Sequence, residues 1–202
     1  FFVYLCTNAP HGPMHAPEKS AKPYAKQGVN VANFLGMIAN IDDNVGAMRA
    51  FLKKEGLAEN TIFIFTTDNG TSSGAHIHNN GMRGRKGSEY DGGHRVPFFI
   101  HWPKGGLTGG RDVDTITSYV DVVPTLIDYC RVPSPKGVNF DGVNIRPLIE
   151  NKAKNWPDRI LVTDSQRVRD PIKWRKSSVM TDQWRLVNGK ELYDINADPG
   201  QK

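Results

Sequence analysis

From Val29 to Lys54, apolar residues return every three or four positions. Phe34, Leu35, Ile38, Ile41, Val45, Met48 and Leu52 mark the stripe of a long helix, and Gly56 is its natural stop. Two short strand-like runs bracket it, "FFVYLC" at 1–6 and "TIFIFTT" at 61–67. Strand, helix, strand in this order predicts a βαβ unit and a parallel sheet covered by helices. "VPFFIHWP" predicts a third strand, ended by Pro103. "SYVDVVPTLIDYC" predicts a helix with Pro124 in its first turn and Val123, Leu126, Ile127 and Cys130 turned inward. "GVNFDGVNIRPLIE" is mostly turn with a short helical end. Beyond Trp156 the texture changes to short strand segments, "RILVTDS", "WRKSSVMTD", "QWRLVNGK" and "ELYDI", with a hairpin turn at "VNGK". The expected class is α/β: a mostly parallel sheet flanked by helices over 1–155, then a small antiparallel subdomain over 156–202. A parallel sheet with so few strands leaves an apolar edge open. The isolated chain is therefore expected to be poorly soluble or to associate.

Composition narrows the class. Of the 202 residues, 38% are hydrophobic and 23% charged, enough for a packed core and against global disorder. The formal net charge of +5 gives a weak general attraction for anions. Basic residues cluster at Arg83, Arg85 and Lys86, but no aromatic-and-basic repeat or zinc-finger spacing supports nucleic-acid binding. Cys6 and Cys130 each sit in an apolar run and are expected to be buried free thiols. No segment reaches the ~18 apolar residues of a membrane span. The chain begins without Met in a strand-like run and stops in polar turn chemistry. The expectation is a piece of a longer protein, from which export cannot be read.

In an open α/β sheet, ligands bind beyond the carboxyl ends of the strands. Three loops at or beside such ends carry unusual residues. "TNAPHGPMHAPEKSAKPY" holds four prolines and two histidines, His11 and His15, and cannot form a regular element. "TTDNG" places Asp68 and Asn69 directly after a strand. It reads either as a turn or as a pair of hard oxygen ligands suited to calcium or magnesium. "RGRKGSEYDGGHR" brings Lys86 and His94. His11 and Lys86 are the groups that an anionic ester and its leaving alkoxide would need. Asp42 and Asp43 also tempt a metal reading, but neighbours on a helix diverge by about 100°.

The segments "PHGPMHAPEK", "IFTTDNG", "RGRKGSEYDGGHRVP", "SYVDVVPTLID", "FDGVNIRPLI" and "ELYDINADPG", in this order and spacing, resemble the carboxyl-terminal half of a type I sulfatase, a family of the alkaline-phosphatase-like superfamily. The resemblance covers nearly the whole chain. It implies that Asp68 and Asn69 ligate calcium, with magnesium as the alternative, and that Lys86 contacts the sulfate group. It also implies that His11 lies near the ester or leaving-group oxygen. His15 is carried as a substrate-side residue of the same loop. His94 is a candidate substrate contact at a variable position, as are His76 and His78. Glu89, Arg95 and Asp141 match structural positions.

The family's formylglycine nucleophile arises in a Cys/Ser-x-Pro-x-Arg segment. Neither Cys6 nor Cys130 lies in one, and the family's amino-terminal Asp-Asp calcium ligands are absent as well. The resemblance thus implies a sulfuric ester hydrolase whose nucleophile and remaining metal ligands lie in a missing amino-terminal half, and an isolated chain without turnover. Two other readings stay open: a phosphonate or phosphate ester hydrolase of the same superfamily, and a non-catalytic binding module. The expected substrate is a sulfated small molecule or glycan, with loop 71–82 offering Ser, Asn and His to a hydroxyl-rich ligand. The family also suggests a periplasmic, secreted or lysosomal-type compartment.

Overall fold

A computed structural model describes all 202 residues. The long helix α2 (Val29–Lys54) is preceded by a single turn, α1 (Glu18–Ala21), and a 3-10 segment, Lys22–Gln27. It buries Ala32, Phe34, Gly36 and Met37. Gly36 lets the preceding segment lie directly on the helix, since a Cβ there would stand 2.8 Å from the Ala21 Cα. The C-terminal half of the stripe is only half-buried, and Ile38 is exposed. Gly56 ends the helix at φ 69°. The Leu57 N–H bonds the Leu52 carbonyl at 2.8 Å and the Gly56 N–H bonds that of Lys53 at 3.1 Å, a Schellman closure.

Strand β1 (Phe63–Thr66) pairs with β2 (Phe98–His101), with Phe63 opposite His101 and Thr66 opposite Phe98. This pairing is antiparallel, so the βαβ order does not close a parallel pair within the chain. The chain between the two strands contains one helical turn, α3 (Asp91–His94), among glycine-rich loops, and so lacks the helical crossover a parallel return needs. The run 1–6 is likewise not a strand. Phe1 to Cys6 are exposed and no backbone hydrogen bond reaches them. A strand exists only against a neighbour's backbone groups, and residues 1–6 pair with neither sheet of this chain.

Helix α4 (Val122–Cys130) follows a 3-10 turn at Tyr119–Asp121 closed by a Ser118–Asp121 capping box. Pro124 sits in its first turn, as expected. The inward face is a correction. Thr125 and Tyr129 are buried, while Val123 and Cys130 are exposed. Thr125 is drawn in because its hydroxyl donates to the Asp121 carbonyl and accepts from the Ile145 N–H. The short α5 (Arg146–Ile149) supplies Leu148 and Ile149, which with Tyr129 and Ile145 make the main apolar cluster. Trp102 packs edge-on against Tyr129, centroids 5.5 Å apart.

The last quarter is a four-stranded antiparallel sheet in sequential order: β3 (Leu161–Asp164), β4 (Ser177–Met180), β5 (Trp184–Val187) and β6 (Glu191–Asp194). The β5–β6 turn holds Asn188 at φ 53° and Gly189 at φ 66°, the two left-handed residues of a type I′ hairpin. Both cysteines are free and exposed rather than buried. Cys6 lies in the unpaired run 1–6, and Cys130 is carried outward by the rotation of α4. No helix is long and apolar enough to cross a membrane.

Candidate active site

Asp68 and Asn69 follow the end of β1, with Thr67 between Thr66 and Asp68. Their turn is zipped to the two glycine-rich loops by backbone bonds. The Gly70 N–H donates to the Gly93 carbonyl at 3.0 Å, and the Lys86 N–H donates to the Thr71 carbonyl at 2.9 Å. The Gly92 N–H in turn donates to the Arg83 carbonyl at 2.8 Å. Asp68, Asn69 and Lys86 are therefore held on one connected patch, although the 16 residues from Thr71 to Lys86 form no helix or strand. The approach is tight. A Cβ on Gly70 would lie 1.9 Å from the Gly92 carbonyl oxygen. Gly70→Ala is expected to push the turn off its seat and destabilise the fold by about 1–3 kcal/mol. Thermal unfolding checks this; an unchanged midpoint would mean that the contact relaxes freely.

The side chains of Asp68 and Asn69 make no hydrogen bond and no ion pair within the chain, and Asp68 is exposed. Free hard oxygens at a strand end fit calcium or magnesium. They fit as part of a shell only, because nowhere do three or more His, Cys, Asp or Glu side chains gather around one point. Lys86 is also without an ion pair and only half-exposed. Asp68 acts on Tyr119, whose phenol is raised by burial foremost and further by the Asp68 carboxylate. The Tyr119 hydroxyl donates to the Thr67 carbonyl and lies 3.2 Å from the Thr66 hydroxyl, so it clamps the end of β1. The Asp68 charge also reaches Tyr4, whose phenol is raised chiefly by the Cys6 thiol.

His11 sits on a separate exposed loop. Its Nδ1 lies 2.9 Å from the Gly12 carbonyl, so that nitrogen donates and Nε2 is left free. His15 is exposed on the same loop. No hydrogen bond or ion pair joins either histidine to the Asp68 patch. His94 points inward instead. Its Nε2 lies 3.9 Å from the Asp91 carboxylate and neither ring nitrogen has a hydrogen-bond partner. Burial foremost, with Arg185 adding, holds its pKa below the ordinary histidine value against the pull of Asp91. His76 and His78 are exposed, whereas the Asn79 amide is spent on the Met82 and Gly84 carbonyls at 2.8 and 2.9 Å. Glu89 accepts from the Asn188 amide at 2.7 Å, a structural link to the hairpin turn.

Sequence reasoning missed what lies beneath the patch. Asp91 is buried, takes a bond from Arg185 Nε at 3.0 Å, and its own N–H donates to Gln201 Oε1 at 2.8 Å. Arg83 lies 3.9 Å over the Tyr90 ring and donates to the Tyr193 hydroxyl at 2.9 Å. The Tyr90 hydroxyl donates to Glu191, and burial together with that carboxylate pushes the phenol up to about 12. The C-terminal sheet thus forms the floor of the loop that carries Lys86. The one available signal was Arg185, a charged residue at an inward position of an apolar strand. A concavity of about 660 Å³ beside α4, lined by Arg131, Phe140 and Asn144 among others, includes none of the expected site residues.

On an α/β scaffold, the unpaired oxygens of Asp68 and Asn69 follow β1 and the unpaired Lys86 is tied by its backbone to the same turn. The chain belongs to the sulfatase family. The Sulfatase model matches residues 1–132, and the model described as N-sulphoglucosamine sulphohydrolase, C-terminal, matches 85–202. It is 37% identical over 173 residues to an arylsulfatase of Clostridium perfringens, covering 83% of this chain and 34% of that one. It is 34% identical over 164 residues to the uncharacterized sulfatase YdeN of Escherichia coli, covering 80% and 29%. Among solved structures, Ps i-CgsB in complex with k-i-k-neocarrahexaose superposes with a TM-score of 0.82 at 26% identity, over 96% of this chain and 43% of that one. A phosphonate monoester hydrolase from Silicibacter pomeroyi shares the fold, with a TM-score of 0.60 at 23% identity, over 83% of this chain and 35% of that one. The chain spans about a third of the length of these two curated relatives. The α/β class and the small antiparallel C-terminal sheet agree with the sequence reading.

Proposed function

We propose that this chain is the carboxyl-terminal part of a sulfuric ester hydrolase, with residues 1–155 belonging to its catalytic domain and 156–202 forming a subdomain beneath it. The observation that carries the reading is the joining of unpaired Asp68, Asn69 and Lys86 on one backbone-bonded patch. Asp68 and Asn69 would hold a hard divalent cation, calcium or alternatively magnesium, which when bound supplies positive charge against the sulfate oxygens. Lys86 neutralises charge on the transferring group. His11, with Nε2 free, protonates or orients the leaving oxygen, and His15 faces the rest of the substrate. His94 is the further candidate substrate contact; it lies beside Asp91 with both ring nitrogens unpartnered.

The chain contains no Cys/Ser-x-Pro-x-Arg segment. The formylglycine nucleophile, and the remaining cation ligands, are placed in sequence beyond these residues, in keeping with the greater length of the relatives. The 202 residues alone are expected to show no turnover of an aryl sulfate. The deciding experiment uses the protein at its relatives' length and compares kcat/KM on an aryl sulfate and on a phosphonate monoester. A clear sulfate preference supports the reading. Preference for the phosphonate gives the site to the other hydrolase class, and no turnover of either favours a binding module.

A further inference from the structure

The loop between β3 and β4 lies against the Lys86 loop, where the Ser165 hydroxyl is 3.4 Å from the Gly87 carbonyl. It carries Arg167, Arg169, Lys173, Arg175 and Lys176 against a single acid, Asp170, a net charge of +4 in a chain of net +5. All five cations are exposed, and none makes an ion pair or a side-chain hydrogen bond. The cations of this loop therefore serve no structural pairing.

The loop is also braced. The Gln166 amide donates to the Ile172 carbonyl and accepts from the Ile172 N–H, both at 3.0 Å, and donates to Asp164 at 2.9 Å. Across its base the Ser165 N–H donates to the Lys176 carbonyl at 3.0 Å. Trp174 lies on the hairpin turn, where a Cβ on Gly189 would be 2.7 Å from its ring, and the indole remains 42% exposed. Lys173 Nζ is 5.4 Å from that ring. A held indole on the same braced loop as unpaired guanidinium groups offers an apolar face for a sugar ring and forked donors for sulfate or carboxylate. Bracing lowers the ordering cost of binding.

We propose that loop 165–176 is a second anion subsite, and that the substrate is an oligosaccharide with further sulfate or carboxylate groups beyond the ester being cleaved. The inference deepens the sulfatase reading and rests on it for the word substrate, but binding can be tested apart from turnover. The full-length protein is titrated with a hexasaccharide carrying one sulfate per disaccharide, with the same sugar desulfated, and with a single-stranded oligonucleotide of equal charge. Arg167→Ser/Arg169→Ser and Trp174→Ala are each expected to weaken the sulfated hexasaccharide roughly tenfold. Lys53→Ser/Lys54→Ser, with the same change in charge at the end of α2, should leave it unchanged. On turnover, kcat/KM for the hexasaccharide should fall by the same factor while that for a small aryl sulfate stays constant. The subsite is overturned if the Lys53/Lys54 variant loses as much, if the oligonucleotide binds as tightly, or if glycan and aryl sulfate rates fall together. Hexasaccharide binding that depends on this loop, without turnover of any sulfate, would support the subsite and sink the hydrolase.

Discussion

Asp68→Ala in the full-length protein is expected to lower kcat/KM for an aryl sulfate by on the order of 10³-fold. It should also weaken cation binding measured directly by calorimetry. The reasoning is local. Asp68 is exposed, takes no hydrogen bond and closes no ion pair, so its removal leaves no buried group stranded. The turn itself is fixed by the Gly70 and Lys86 backbone bonds, which the substitution does not touch. A large loss of activity with an unchanged melting temperature thus isolates the carboxylate's role. Lys86→Ala should cost roughly 10²-fold in kcat/KM with cation affinity retained. If Asp68→Ala keeps both the rate and the affinity, then Asp-Asn-Gly here is a turn and nothing more.

The largest loss of stability is expected at Arg159. Asp121 is fully buried and receives both Arg159 guanidinium nitrogens, at 2.8 and 2.9 Å, as well as the Ser118 and Val143 N–H groups at 2.8 and 2.9 Å. This one carboxylate ties the start of α4 to the chain entering α5 and to the segment leading into β3. Gly142 closes against it so tightly that a Cβ there would meet the Val120 carbonyl oxygen at 1.9 Å. Arg159→Met removes the partner and leaves the charge buried, at a cost of about 3–5 kcal/mol, or roughly 10 °C in Tm for a chain of this size.

The pH dependence has a definite sign. Burial pushes the Asp121 carboxyl up, but Arg159 and the two backbone donors outweigh it and hold its pKa below the ordinary value. A group depressed on folding adds stability that is complete above the unfolded-state pKa, near 4. That contribution is lost as pH falls through the folded-state value. Without Arg159 the burial effect dominates, and acid destabilisation should begin at higher pH. Melting curves between about pH 7 and pH 3 for the two proteins check this. Parallel curves would mean that Arg159 contributes contact but not charge.

Several elements were legible because their causes are local. The α2 stripe and its Gly56 stop, Pro124 in the first turn of α4, and Asn188-Gly189 in the hairpin are each specified by neighbours within a turn or two of chain. The Asp68-Asn69 turn was legible for the same reason, since a polar pair after the strand-like run "TIFIFTT" marks a strand end. Strand partners were not legible. The run "FFVYLC" has strand composition, but a strand requires another backbone beside it. The return from β1 to β2 is antiparallel because the intervening loops fold back without a crossover helix. The inward face of α4 also escaped the pattern, because hydrogen bonds to the Thr125 hydroxyl override its lower hydrophobicity.

The sequence by itself determined the family, the helices α2 and α4, the hairpin and the residue types proposed for the anion site. Only the tertiary structure decided that Asp91 meets Arg185 across 94 residues, that His94 turns toward that pair, and that a cationic loop from the C-terminal sheet stands beside Gly87. Propensity and periodicity act over a few residues. Buried charge pairing and loop adjacency depend on which distant segments share a volume, and no local pattern carries that.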